Sequence, residues 1–511
     1  MKKIFLFLPA ILCASIIHAQ VPEDALRNAW FIPMGSARSL AIGGAMGSLG
    51  GDISANNVNP AGIGLYKTQE AVLSPGFLLN NNKINFRGTE SSKQNSGFSY
   101  GSSGVVIGTL NTGKQMGNYT SSAFSFSITQ LASFNNHTYY KGFNNVTSFS
   151  EQYLEELVRN GAGVQSAEQD YIFGSSLAYR TYLIDTFNVN GQLAGFKSLV
   201  PVATGINQER TEDSRGGFNE ASFAFAKNND DRLYLGLSVN IPFSNYNRDL
   251  TYTETDASGD PDNNFDHFTF TQNYSSTGVG LNAKLGLIYK MSPVFRWGIA
   301  IHTPSFMTFR DQVRAAMTTN TEGYAGIVTE SSDHLNNGNP GEVNYILQTP
   351  WRAIASGSFV ISDNSDTKLQ RGFITADLEY VNYKSSRFYT SSNGDASQKT
   401  YYDEVNAVIK DYYQGAVNFR LGGELKFDPW MVRLGGAYYG SPYSDKTLKA
   451  SRIQASGGLG YRYHGFFIDL TYAASFNKDV NFPYRLADAP NTFAEMKNNK
   501  GNVLLTVGIK L

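Results

Sequence analysis

The sequence predicts an all-β fold, a transmembrane antiparallel β-barrel of about fourteen strands with an amino-terminal hatch, or plug, inside its lumen. Three observations predict it: ten-residue segments in which apolar and polar residues alternate, connections that are short and long by turns, and a composition poor in charge but rich in aromatics. The 511 residues include 42 Lys and Arg against 43 Asp and Glu, a formal net charge of -1, and only 17% are charged. Ordinary soluble proteins carry roughly 25%. Tyr contributes 30 residues and Phe 34, yet the hydrophobic fraction is 41%. The neutral balance excludes the basic surplus of a nucleic-acid binder. Past the amino terminus no apolar run approaches the roughly 18 residues of a membrane helix, so any crossing of a bilayer falls to strands.

Lys2 and Lys3 precede an apolar stretch from Ile4 to Leu12, and the run from Ala14 to Ala19 ends in small residues, the layout of a secretory signal. Cleavage after Ala19 divides the chain into a signal at 1–19, a hatch at 20–66 and a barrel at 67–511. Leu12 stands where a lipoprotein signal would place a small residue before Cys13, so lipidation is not expected. The single cysteine then leaves with the signal, and thiol catalysis and thiolate metal sites go with it. Neither a Gly-x-Ser-x-Gly elbow nor a His–Ser pair at a defined spacing points to a hydrolase. The chain reads as a non-enzyme without metal or cofactor.

The period of two is plain from Leu233 onward, where Leu233, Leu235, Leu237, Val239, Ile241 and Phe243 alternate with Tyr234, Gly236, Ser238 and Asn240. It recurs through Val279 to Leu287 and Val417 to Leu425, and closes the chain from Val503 to Leu511. Strand candidates fall near 69–79, 97–110, 121–138, 218–227, 231–244, 274–290, 294–309, 349–361, 371–384, 414–427, 429–440, 451–463, 465–476 and 501–511. An even set of such segments is what a bacterial barrel requires. A soluble β-sandwich would also alternate, but it has no reason to sort its loops by parity. Here short turns at 228–230, 291–293, Asp428 and His464 interleave with long connections at 141–217, 311–348 and 385–413. The short turns should face the periplasm, with the long loops outside the cell.

Two of those loops should carry helices. Ser148 and Glu151 form a capping box ahead of Leu154, Leu157 and Val158, with Asn160-Gly161 as the stop; the second helix, Asp403 to Tyr413, places Val405, Val408, Ile409 and Tyr412 on one face. Each apolar face either packs on its own barrel rim or serves as a landing site for an apolar ligand.

Lumen residues come from the opposite parity. Asp377 and Glu379, then Arg420 and Glu424, then Arg433 should point inward from three adjacent strands and pair, either as a network holding the wall or plug or as substrate contacts. Lys284, Arg296, Arg352, Asp469 and His302 are inward candidates of the same kind, the histidine read as hydrogen-bonded rather than metal-binding. Pro242 and Pro304 cannot donate to a ladder and should mark a strand end, bulge or local gap. The Gly count is shared between strands and plug, and only the plug share is expected to bear on function.

About fifty residues before the first strand do not alternate, including the Gly-rich run from Gly43 to Gly51 and the segment Gly51-Asp52-Ile53 to Asn59-Pro60-Ala61. That Gly-rich stretch with Gly51, Asp52 and above all Asn59, Pro60 and Ala61 resembles the hatch of the FadL/TodX family of outer-membrane transporters for long-chain fatty acids and aromatic hydrocarbons. The stretches Trp297 to Phe306 and Phe419 to Tyr443 are similar to Bacteroidetes-type members. The resemblance implies a Gram-negative outer-membrane location, a hydrophobic small-molecule ligand, outer-membrane lipid around a monomer, and diffusion through a hatch-gated barrel to a lateral gap at a kink in the third strand. The third candidate strand, 121–138, contains neither Gly nor Pro, so its sequence does not locate such a gap. The competing reading is a non-transporting barrel, a secretion-system accessory or surface-binding protein; a haem receptor would need more histidines than the 6 present.

Overall fold

The computed structural model describes residues 22–32, 34–111, 119–362, 370–391, 396–446, 448 and 450–511. The expected signal at 1–19, Cys13 included, lies outside them. The amino-terminal segment runs through α1 (Pro22–Arg27), α2 (Ala37–Ala41), α3 (Ala55–Val58) and a 3-10 turn at Pro60–Leu65. The wall begins with β1 (Gln69–Leu73), β2 (Pro75–Phe86), β3 (Thr89–Tyr100), β4 (Ser103–Leu110), β5 (Ser121–Ser133) and β6 (Asn136–Asn144). An outer layer follows: α4 (Glu151–Arg159), α5 (Val164–Gln169), α6 (Ser175–Arg180) and the hairpin of β7 (Ile184–Val189) and β8 (Gln192–Ser198). Then come β9 (Ile206–Asn229), β10 (Leu233–Asp256), β11 (His267–Lys290), β12 (Phe295–His302), β13 (Phe306–Asn320), β14 (Ile327–Ser331), α7 (Ser332–Leu335), β15 (Gly341–Gln348) and β16 (Arg352–Ser362). The chain ends with β17 (Gln370–Asn382), β18 (Arg387–Thr390), α8 (Ala396–Tyr412), β19 (Gly415–Phe427), β20 (Trp430–Tyr439), β21 (Arg452–Tyr463), β22 (Phe466–Asn481) and β23 (Ala494–Lys510).

All ladders are antiparallel, and the last strand closes the sheet: β23 pairs with β22 on one edge and with β1 and β2 on the other. Several wall strands are interrupted once, so β1/β2, β3/β4, β5/β6, β12/β13, β15/β16 and β17/β18 each form one wall strand, and the wall counts fourteen. Outward residues Leu235, Leu237, Val239, Ile241 and Phe243 are exposed in a continuous apolar row. Aromatic pairs such as Trp430–Tyr461, 5.0 Å between ring centroids, and Tyr289–Trp297 lie at the short-turn end, where amphipathic rings suit a membrane interface. A hydrogen-bonded sheet that closes on itself, with an apolar belt outside, is the β solution to a bilayer, because nearly all of its backbone groups are paired within the wall.

Above Phe243 the outward residues turn polar, Asn245, Asn247 and Asp249, yet pairing continues to the end of β10. The 24-residue strands β9, β10 and β11 therefore rise well beyond the belt. Ladders thus enter stretches expected as loops: much of 311–348 is β13, β14 and β15, and 141–217 contributes the ends of β6 and β9.

Both helices form, with shifted faces. In α4, Tyr153 and Leu157 are buried whereas Val158 is 73% exposed; in α8, Tyr402, Val405 and Ile409 are buried while Val408 and Tyr412 face solvent. Each buried face packs on the chain's own rim. Tyr153 of α4 meets Phe149 edge-on, and Phe149 stacks on Tyr252 of β10; Tyr402 of α8 stacks on Phe388 and meets Tyr345. Only half of the capping box is made: the Glu151 carboxylate accepts from Ser148 N, but the Ser148 hydroxyl donates to Glu254, and the residue before the helix is Ser150.

Candidate gate and passage

The amino-terminal segment lies against inward-facing wall residues along its length. Two rows of small residues permit this. Gly236, Gly286 and Ala300 are register partners on β10, β11 and β12, and a Cβ on Gly286 would overlap the Asn59 Oδ1 atom and lie 3.0 Å from Pro60 Cδ. Across the lumen Gly422 and Gly435 pair between β19 and β20, and a side chain on either would run into the backbone of Ile42. The strand glycines thus make the cradle in which the segment lies.

Asn59 shows why that residue type sits there. Its amide nitrogen donates to Gly47 O at 2.6 Å and to the wall carbonyl of Leu287 at 3.2 Å, while its oxygen accepts from Ala61 N at 3.1 Å. One side chain therefore ties two turns of the segment to the sheet. Asp52 accepts from Ser36 Oγ at 2.8 Å and Ser54 N at 2.9 Å, and Gly51 offers its carbonyl to Arg38 at 3.1 Å. Wall side chains bind the segment's carbonyls in turn: Arg352 reaches Ala29 O at 2.6 Å, Arg452 reaches Trp30 O at 2.8 Å and the His302 ring donates to Val58 O at 2.9 Å.

The charges read from parity do meet. Arg420 lies 3.3 Å from Glu379 and 3.9 Å from Asp377, and Arg433 donates to Glu424 at 2.6 Å. Asp377 also accepts from Gly47 N at 3.1 Å, and Glu424 pairs with Arg38 at 3.3 Å, so the network spans wall and segment. Asp469, which pairs with Arg433 at 2.7 Å, and Arg38 complete it. Asp469 had the right parity; Arg38, on a non-periodic segment, carried no signal.

Above the network sits a cavity of about 60 Å³. Phe31, Leu131 and Phe218 line one side, Phe31 stacked on Phe218 at 5.4 Å between centroids, and Lys284 with its partner Glu220 lines the other. Pro304 falls in the interruption between β12 and β13, beside this cavity, and Pro242 falls where the β10–β11 ladder lacks two pairs.

Leu131 marks a break in the wall. The β5–β9 register slips between Gln130 and Ala132, and Phe134 and Asn135 separate β5 from β6. Opposite them Gly216 adopts φ 116°, a conformation suited to glycine. Beyond the break β6 stays paired with β9 but lies against the lumen face of β2: Asn136 accepts from Asn80 at 2.8 Å and Asn82 at 2.7 Å, both on that face. Among the described residues β3 pairs only with β2 and β6 only with β9, so no ladder joins β3 to β6. The wall has a seam there.

A closed wall with an apolar belt, a segment cradled inside and a seam at the third strand can be set beside known proteins. No family model matches the chain, and no curated protein matches it. Among solved structures, a Pseudomonas aeruginosa FadL homologue aligns with a TM-score of 0.57 at 12% identity, over 94% of this chain and 99% of that one. The chain has the FadL-type fold. The P. putida toluene transporter TodX aligns at 0.51 with 12% identity over 95% and 99% of the two chains, and a deltaS2 mutant of the TodX monoaromatic hydrocarbon channel at 0.53 with 12% identity over 94% and 100%. A FadL-type fold with an apolar outer belt makes this an outer-membrane β-barrel.

Proposed function

We propose that the barrel lets hydrophobic small molecules, long-chain fatty acids or aromatic hydrocarbons, diffuse across the outer membrane, with residues 20–66 as the hatch and 67–511 as the barrel. Gly51, Asp52, Asn59, Pro60 and Ala61 are the hatch residues that hold it shut, and Asp377, Glu379, Arg420, Glu424 and Arg433 form the network it closes against. The observation that carries this is the seam between β3 and β6, adjoining a cavity walled by Phe31, Leu131 and Phe218. An apolar solute gains about 0.8 kcal/mol per CH₂ by staying in apolar surroundings, so a side exit into lipid serves it better than a wet pore. The cavity is well below the roughly 300 Å³ of a ligand site, so passage requires Phe31 and Phe218 to part. We read the chain as a Bacteroidetes-type member acting as a monomer without cofactor.

The packed, charged lumen favours a second reading, a barrel that serves as a secretion-system accessory or surface-binding protein and passes nothing. One experiment separates the two. A Cβ on Gly97 would lie 3.2 Å from the Asn135 side chain, so Gly97→Cys with Asn135→Cys staples the seam. In whole cells or proteoliposomes the oxidised protein should lose uptake of a hydrophobic probe and regain it on reduction, and deletion of 59–61 should lower uptake while the barrel still inserts. Uptake indifferent to both changes refutes hatch-gated lateral transport.

A further inference from the structure

At the short-turn end of the lumen, beneath the amino-terminal segment, lies a second cavity of about 270 Å³. Its lining is lopsided in charge, with six Lys and Arg side chains against three carboxylates. The carboxylates are engaged. Glu424 is shared by Arg38 and Arg433, Glu70 pairs with Lys510 at 3.3 Å, and Asp52 is held by Ser36 and Ser54. Just behind the lining, Asp469 is shared by Arg433 and Arg462.

Two cations remain. Arg296 is only 5% exposed; one terminal nitrogen donates to Leu49 O at 3.3 Å, and its Nε has no hydrogen-bond partner among the described residues. The Lys426 side chain, half-buried on β19, is attracted by Glu424, which Arg38 and Arg433 already occupy, and makes no ion pair or hydrogen bond of its own among the described residues. A guanidinium held out of water without a counter-charge is costly. Its planar fork matches the two oxygens of a carboxylate or phosphate, and a lysine adds a point charge that adapts to either. Both side chains line one cavity, and that cavity has room for a small anion but not a lipid-sized one.

We propose that this cavity binds a small oxyanion, a carboxylate or a phosphate group, entering from the short-turn side, with Arg296 and Lys426 as its ligands. The site is separate from the apolar passage and goes beyond the transport reading: it stands whether or not the barrel transports. It also places an anion next to Arg38, the segment's own cation on Glu424.

The purified barrel in nanodiscs of uncharged lipid is titrated calorimetrically with inorganic phosphate and, separately, with butyrate. Saturable binding of at least one is expected. Each of Arg296→Gln and Lys426→Gln should weaken it about tenfold, the worth of one charge-assisted hydrogen bond, whereas Lys426→Arg should keep it. Lys426 makes no contact needed for folding, so its variant stays informative should Arg296→Gln misassemble. Loss of the titrated binding when the nanodisc contains phosphatidylglycerol identifies a lipid headgroup as the competing source; binding unaffected by that lipid identifies a soluble anion. Absence of saturable binding by both anions, or binding that both glutamine variants leave unchanged, overturns the proposal.

Discussion

Replacing Gly286 by Ala adds one methyl group to a strand interior, a change that by backbone entropy alone should favour the strand by roughly 0.5–1 kcal/mol. The opposite is expected here. The new Cβ would occupy the position of Asn59 Oδ1 and press on Pro60, so the amide must leave its place. Its bonds to Gly47 O, Leu287 O and Ala61 N are neutral and worth about 1 kcal/mol each, and overpacking adds about 1–3 kcal/mol, for a net loss of about 3–5 kcal/mol in the seating of the segment. The lipid face is untouched, so the barrel should still insert and resist SDS unless heated. In planar bilayers its single-channel conductance should rise above wild type, and amide exchange should quicken across 37–62. Gly357→Ala is the control, since its Cβ meets nothing nearer than Phe295 at 3.9 Å. If Gly286→Ala matches both wild type and Gly357→Ala in conductance and exchange, the segment is not held on the glycine row as described.

Two further outcomes follow from buried charge. Arg420→Met strands Asp377 and Glu379 and should cost about 3–5 kcal/mol in urea unfolding from micelles; equal midpoints for variant and wild type would show that the network contributes nothing. In the outer layer Glu254 is buried, and although Ser148, Phe149 N, Gln208 and Tyr252 donate to it, burial pushes its carboxyl above the usual range. A raised folded value means that its stabilising contribution is full below the unfolded carboxyl range and is lost as pH rises through the folded one. Limited proteolysis of 145–205 should therefore slow on acidification, and Glu254→Gln should flatten that dependence; an unaltered profile in the variant would assign the effect elsewhere.

How far the sequence carries depends on which surface a residue meets. Within the belt each strand has one face on lipid, so Leu235 to Phe243 alternate and the strand can be read directly. Above it Asn245, Asn247 and Asp249 face water while Tyr246 and Tyr252 face a packed interior; the alternation reverses its sense, so the outward apolar row stops at Phe243 and the rest of β10 looks like loop. Parity likewise placed Asp377, Glu379, Arg420, Glu424 and Arg433 on one side because the ladder fixes them. It could not supply Arg38, whose segment has no period, nor say that α4 turns Val158 outward, because a helix face depends on what it lands on. The seam is the sharpest case. Its cause is a one-residue slip at Leu131 and a positive-φ glycine, Gly216, on the neighbouring strand, so a search for Gly or Pro within 121–138 looks at the wrong strand. The glycine rows were legible in principle: Gly236, Gly286, Gly422 and Gly435 all share the inward parity, and an inward glycine in a strand otherwise built to pack leaves space that only another backbone can fill.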